Sequence, residues 1–467
     1  MILKKHLPLK AKYFAILGLI TLPTISLANV QAEHAKQHHK SMSHPKIHGV
    51  GAFNYSFDDT GVNKVHDARQ YGDWRFNEFK IGLSGEVKEL NYNIEYAWFK
   101  GMLVNMVSTN SSGTYGEFRE AYVSHKFSND VIGKVGNTRV PFGNEDSFSF
   151  WHNLPFYAGM GENYQTGLKM VYLDSPWNVQ VQLGKNSLVS PNNASTYYPK
   201  LTTGYYNVPM SQNVINNEYY NSAALNDINL PSGWYAQNNE DGVQLAARVV
   251  HTHHFNEHHK VEVGLSGRMG QVYNGISTAR GSQWAGALHA NAYLDRWIVQ
   301  LQYLPYGFSP KYKGGVDTGT GAPVVLDTIQ LGKDGVLYTI PKKANIFAAG
   351  LGYKIPVSWG KIEEVTVYDD YSILSGKATK NNTKLNIVGF KFNAGPLFIT
   401  AEAITGKNMV GIGQELLPNG APNIYNIGGN GYSNYGITTQ DTFANSVYDD
   451  NTSHWKTKFN INIAAKF

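Results

Sequence analysis

The chain of 467 residues contains no cysteine. Disulfides, thiolate nucleophiles and thiolate metal sites are therefore excluded. Beyond the N-terminal stretch there is no apolar run near the roughly 20 residues that a helical membrane span needs. Charged residues are scarce, at 16%. The chain has no Gly-x-Ser-x-Gly and no His-Glu-x-x-His, so neither a nucleophile elbow nor a zinc-hydrolase helix is indicated. On these grounds the chain is read as a non-enzyme with no cofactor. Nor is there space ahead of Ile47 for a plug domain of the kind an energy-coupled transporter would carry.

The formal net charge of +5 is misleading. Lys4, Lys5, Lys10 and Lys12 form a basic start, and Tyr13 to Leu27 is apolar apart from Pro23. Small residues follow. This is the pattern of a secretory signal peptide, with cleavage expected after Ala32 and Ala28 as the alternative. The stretch 1–32 holds four of the 40 basic residues and none of the 35 acids. The remainder is close to neutral, which removes the charge argument for a nucleic-acid partner.

What is abundant is glycine (47) and tyrosine (30), with apolar residues dispersed in short alternating segments. The last thirteen residues show the pattern best. Trp455, Thr457, Phe459, Ile461, Ile463, Ala465 and Phe467 form one set; Lys456, Lys458, Asn460, Asn462, Ala464 and Lys466 form the other. A period of two puts these sets on opposite faces of a strand. The strand is long enough to cross a bilayer at a tilt, where about 9–11 residues suffice. Phe459, Ile461, Ile463 and Phe467 are expected to act as an assembly signal, read by the barrel assembly machinery.

Residues 33–46 are polar and His-rich (His34, His38, His39, His44) and read as a short periplasmic tail. From Ile47 onward, sixteen alternating segments are expected: 47–57, 73–86, 91–101, 116–127, 131–141, 164–174, 177–185, 241–251, 260–270, 282–293, 296–304, 344–355, 360–372, 382–393, 396–406 and 454–467. Short turns with Gly, Asp, Asn or Pro alternate with long connections at 58–72, 102–115, 142–163, 186–240, 271–281, 305–343, 373–381 and 407–453. The expected fold is all-β: a transmembrane antiparallel barrel of about 16 strands over 47–467, with short periplasmic turns and long extracellular loops. A hairpin hidden in 186–240 would make it eighteen.

Several strands have a clear lipid face. Tyr92, Ile94, Tyr96 and Trp98 alternate with polar neighbours, as do Val261, Val263 and Leu265, and Trp297, Val299, Leu301 and Tyr303. The other face is polar enough to be expected to line water. Sixteen strands leave room for an aqueous channel.

The connection 142–163 is unusually aromatic for a loop washed by solvent. Packed inside the barrel, it would bury those rings and narrow the pore. It is therefore expected to be an inward-folded third extracellular loop, with Glu145, Asp146, Phe150, Trp151 and His152 at the constriction. The wall supplies candidate cations for selectivity: Lys134, Arg139, Lys169, Arg248, Arg268 and Arg296. An Arg facing lipid at the midplane costs about 2–4 kcal/mol, so mid-strand Arg248 and Arg268 should point inward. Each of them could instead be a wall charge neutralised by a neighbour such as Glu95, Glu120, Glu262 or Glu402. The His-rich stretch 251–259 reads as a polar periplasmic turn, and no metal site is assigned.

Four pieces resemble a known family. GKVGNTRVPFG (133–143), FREAYVSHKF (118–127), GFKFNAGPLFITAEAITGKN (389–408) and the final Phe467 look like the phosphate-selective porin O/P family and related trimeric Gram-negative porins. The resemblance implies a bacterial outer-membrane location among lipid and lipopolysaccharide, a homotrimer, and passive diffusion of small hydrophilic solutes. Phosphate-specific members carry a ladder of Arg and Lys through the pore. Here lumen cations are fewer and carboxylates are interspersed, so the expected solutes are small anions rather than phosphate in particular. The alternative is a barrel used mainly for surface display or adhesion through its large loops.

Overall fold

The computed structural model describes residues 45–58, 72–99, 115–145, 147–185, 190–191, 239–274, 279–311, 328–333, 336–376, 382–407, 409 and 455–467. The expected signal stretch, the tail up to His44, Asp146 and most of the long connections lie outside them.

Sixteen strands close into an antiparallel barrel. They are β1 (Lys46–Asp58), β2 (Asp73–Val87), β3 (Leu90–Phe99), β4 (Tyr115–Lys126), β5 (Val131–Arg139), β6 (Tyr164–Asp174), β7 (Trp177–Lys185), β9 (Asn239–His254), β10 (His259–Asn274), β11 (Ala279–Leu294), β12 (Trp297–Ser309), β15 (Lys343–Trp359), β16 (Ile362–Gly376), β17 (Thr383–Ala394), β18 (Leu397–Lys407) and β19 (Lys456–Lys466). Three further strands, β8 (Ser190–Pro191), β13 (Thr328–Lys333) and β14 (Val336–Pro341), form a small separate sheet. Among the described residues, the 186–240 connection adds nothing to the barrel, which has sixteen strands rather than eighteen.

The alternation in the sequence is carried directly into the wall. On β10, Val263, Leu265 and Met269 face outward and are exposed, whereas Ser266 and Arg268 are buried. A strand presents successive side chains to opposite faces, so one apolar set covers the outside of the barrel. Trp177, Trp297 and Trp359 sit beside the short turns, as an aromatic girdle requires. Five of those turns have only two residues, and in four of them the first has positive φ: Lys88, Asp295, Gly360 and Gly395. Such dihedrals suit the right-handed twist of the flanking strands.

The barrel closes between its first and last strands. Gly49 and Phe467 exchange two backbone hydrogen bonds, of 2.9 and 3.1 Å. Phe459 and Ile461 face outward and are exposed, and the Phe467 ring stacks on Phe79 with centroids 6.1 Å apart.

One expectation needs correction. The inner face is not polar throughout. On β12 and β15 to β18, Leu304, Tyr306, Ile346, Leu374, Leu385, Ile387 and Ile404 are buried in one apolar cluster with Phe142, Trp151, Leu154 and Tyr157 of the 140–163 segment. Those inner positions face protein rather than water, so apolar side chains are stabilised there by burial, at about 1.5–3 kcal/mol each. The 305–343 connection carries the β13–β14 hairpin. Its Ile329 and Ile340 join the same cluster.

Candidate functional site

The 140–163 segment leaves β5 through Val140–Pro141–Phe142 and returns to β6 at Tyr164. Near its middle lies a single helical turn, α1 (Leu154–Tyr157), with Pro155 in its first turn. Pro suits that position, because a first-turn N–H has no intrahelical partner to lose. The segment is tied to inward-facing groups on many strands. Gly143 N–H donates to Ser266 Oγ of β10 at 2.8 Å, and Asn144 N–H donates to Gln302 of β12. Leu154 N–H donates to Ser372 Oγ of β16 at 3.1 Å.

The firmest anchor is a buried carboxylate. Glu402 of β18 is 3% exposed. Its Oε1 accepts from Ser149 Oγ (2.8 Å), Phe150 N–H (2.9 Å) and Tyr368 OH (2.7 Å). Asp370 of β16 receives the Phe148 and Ser149 backbone N–H groups and the Asn153 side chain. Lys391 Nζ donates to the Phe148 carbonyl at 3.1 Å. Phe148 stacks on Tyr368 at 5.7 Å between centroids. Gly352 makes room for that ring: a Cβ there would lie 2.4 Å from Phe148 Cε1.

The wall cations named from sequence divide into three groups. Arg248 and Arg268 point inward and are buried, as their strand phase required. Both meet the 140–163 segment, and Arg268 is also acted on electrostatically by Asp241 of β9. Arg248 Nε donates to the Gly143 carbonyl at 2.9 Å, and its Nη1 lies 3.9 Å from Glu145 Oε2. Arg268 Nη1 donates to the Gly159 carbonyl at 3.2 Å. Lys134 and Lys169 are paired across β5 and β6. Lys169 donates to the Arg139 carbonyl at 2.9 Å, and Lys134 sits 4.2 Å from the Tyr122 ring centroid. Arg139, at the end of β5, donates to the Glu145 carbonyl.

Arg296 is the exception. It was expected on the wall, but the tight Asp295–Arg296 turn claims it and β12 begins one residue later, so its side chain is exposed. The neighbouring Asp295 carboxyl is held below its ordinary range, chiefly by a hydrogen bond with His259, whose Nε2 is 3.0 Å away. In the segment, Trp151 is buried under the Lys458 ammonium, 5.1 Å from its ring centroid. Phe150 packs against the apolar cluster, and His152 Nε2 lies 3.4 Å from Glu162 Oε2. Glu162 also pairs with Arg119. Among the described residues no three His, Asp or Glu side chains are grouped to hold a metal ion.

Sequence reading overlooked Asp370, Ser372, Tyr368 and Lys391, and treated Glu402 only as a neutralising partner. The inward face of β16 reads Thr366, Tyr368, Asp370, Ser372 and Leu374, so periodicity gave their direction but did not single out the anchors.

Residues 51–271 match the family described as phosphate-selective porin O and P. Over that span the chain is similar to this family. It is an outer-membrane porin, a channel rather than an enzyme. No curated protein sequence matches this porin. Solved structures similar to it include the outer membrane channel DcaP of Acinetobacter baumannii, with 11% identity over 92% of this chain and 99% of that one and a TM-score of 0.47. An anion-selective porin from Comamonas acidovorans has 11% identity, coverage of 91% and 100%, and a TM-score of 0.47. OmpT of Vibrio cholerae has 10% identity, coverage of 91% and 97%, and a TM-score of 0.45.

Proposed function

We propose that this porin is a passive channel for small hydrophilic solutes with a modest preference for anions, narrowed by the 140–163 segment folded into its lumen. The observation that carries the reading is the set of hydrogen bonds from that segment to inward-facing Ser266, Gln302, Ser372 and Glu402, on four strands of the arc from β10 to β18, which lies across the barrel from β5 and β6. A segment tied at all four points crosses the interior. Glu145, Phe150, Trp151 and His152 then belong to the constriction.

Anion preference rests on Lys134, Arg139, Lys169, Arg248 and Arg268, all on inner-wall strands around the same segment. A few charges in a narrow channel with low-dielectric walls shape the potential more than net charge does. Arg248 and Arg268 act in part through the segment they hold. Assembly as a homotrimer, among lipid and lipopolysaccharide, is the form the family resemblance supports. The exposed outward aromatics Phe53, Trp74, Phe79 and Phe118 on β1, β2 and β4 are suited to contact another protomer.

Reconstitution in a planar bilayer tests the reading. Stepwise conductance is expected, with a reversal potential in a salt gradient of the sign for anion preference. An inserted barrel that never conducts would mean a display or adhesion scaffold; a cation-selective reversal potential would mean that the segment's carboxylates dominate.

A further inference from the structure

One cavity between the 140–163 segment and the inner wall carries charge of both signs. Arg139, Glu145, His152 and Glu162 line one side, and Gln302 of β12 and Asp370 of β16 line the other. Most of these groups are already engaged. Arg139 donates to the Glu145 carbonyl, Glu162 pairs with Arg119, and Glu145 lies near Arg248. Asp370 differs. It is 2% exposed, and its Oδ2 has no hydrogen-bond partner among the described residues. Lys391 is the basic group that acts on it electrostatically, but the Lys391 ammonium donates to the Phe148 carbonyl and lies over the Phe148 and Tyr368 rings.

A buried carboxylate oxygen without a donor is costly, and a donor arriving with a solute recovers that cost. The donor's chemistry can be narrowed. A bare metal ion would want several oxygen ligands, and no such group of three is present among the described residues. A simple cation would also meet Arg139 in the same cavity, and a simple anion would meet Asp370, Glu145 and Glu162. A solute bearing both an ammonium and a carboxylate satisfies both signs.

We propose that this cavity is a subsite for small zwitterionic amino acids, with the ammonium docked on Asp370 Oδ2 and the carboxylate facing Arg139. The inference rests on the porin reading and names a solute class for it. Occupancy would be transient, as conduction requires binding weak enough to release.

The test is single-channel recording in potassium chloride with glycine, acetate or methylammonium added. Glycine is expected to produce resolvable current fluctuations in the unmodified protein, with acetate weaker. Asp370→Asn keeps an acceptor for the Phe148 and Ser149 N–H groups, and its conductance in potassium chloride alone is the baseline against which its glycine response is read. Its apparent glycine affinity should fall by about tenfold, the worth of one hydrogen bond to a charged group. Arg139→Gln should weaken glycine but spare methylammonium. Glycine fluctuations equal in Asp370→Asn and the unmodified protein, or reproduced in full by acetate, overturn the subsite while leaving the channel intact. Absence of stepwise conductance in potassium chloride overturns the porin reading itself.

Discussion

Glu402 on β18 and Ser149, separated by 253 residues in sequence, are joined by a 2.8 Å hydrogen bond. The same carboxylate oxygen also takes Phe150 N–H and Tyr368 OH. A buried acid thereby fixes a segment that has no regular structure there to hold itself. Removing one such partner strands several donors at once, each costing about 1–3 kcal/mol. Glu402→Ala should therefore loosen the 140–163 segment. The expected readouts are higher single-channel noise and conductance with normal heat-modifiable migration. Glu402→Gln, which keeps an acceptor, should stay closer to the unmodified protein.

Deleting residues 145–157 should raise single-channel conductance in correctly inserted protein. The deletion removes α1 and most of the aromatic packing on the inner wall. Unchanged conductance would place the segment away from the permeation path.

Gly352 gives a test of the same contact from the wall side. A Cβ at that position meets the Phe148 ring, so Gly352→Val should displace Phe148 from its stack on Tyr368. Overpacking of this kind costs about 1–3 kcal/mol. Conductance should change in the same direction as in Glu402→Ala, while Gly395→Ala, at a remote turn, should leave it alone.

Ion selectivity should respond to Arg248 and Arg268 and not to Arg296. Arg248→Ala and Arg268→Ala are each expected to reduce anion preference in a salt-gradient reversal potential. The effect should shrink as salt rises, since the Debye length is about 10 Å at 0.1 M. Arg296→Ala, in an exposed turn, should match the unmodified protein.

Insertion should depend on the closing strand. Phe467 bonds Gly49 across the seam, and Ile463 lies in the outward phase of β19. A Lys facing lipid near the midplane costs about 2–4 kcal/mol. Ile463→Lys and deletion of Phe467 should leave the protein in the periplasm, as fractionation and heat-modifiable migration will show. Normal barrels from both variants would contradict the proposed assembly signal.

The wall was legible in the sequence because a strand alternates with period two whatever surrounds it. Val263, Leu265 and Met269 against Ser266 and Arg268 is enough to say which residues face lipid and which face inward. Counting such runs, with short turns between alternate pairs, yields sixteen strands and their order. Arg296 was misplaced because a two-residue turn shifts a boundary by one residue, and periodicity does not resolve that. The contents of the barrel are a different matter. Alternation says that Asp370, Glu402, Leu374 and Ile404 point inward but not what they meet there. Water, another segment of the chain and a partner are all compatible with an inward phase. Only closure of the barrel brings Glu402 to Ser149 and Gly352 beneath Phe148, because contacts over such separations depend on the register of every strand between them. Arg248 and Arg268 show the same division: their direction follows from the cost of a charge in lipid, but their role in holding the 140–163 segment follows from where that segment lies.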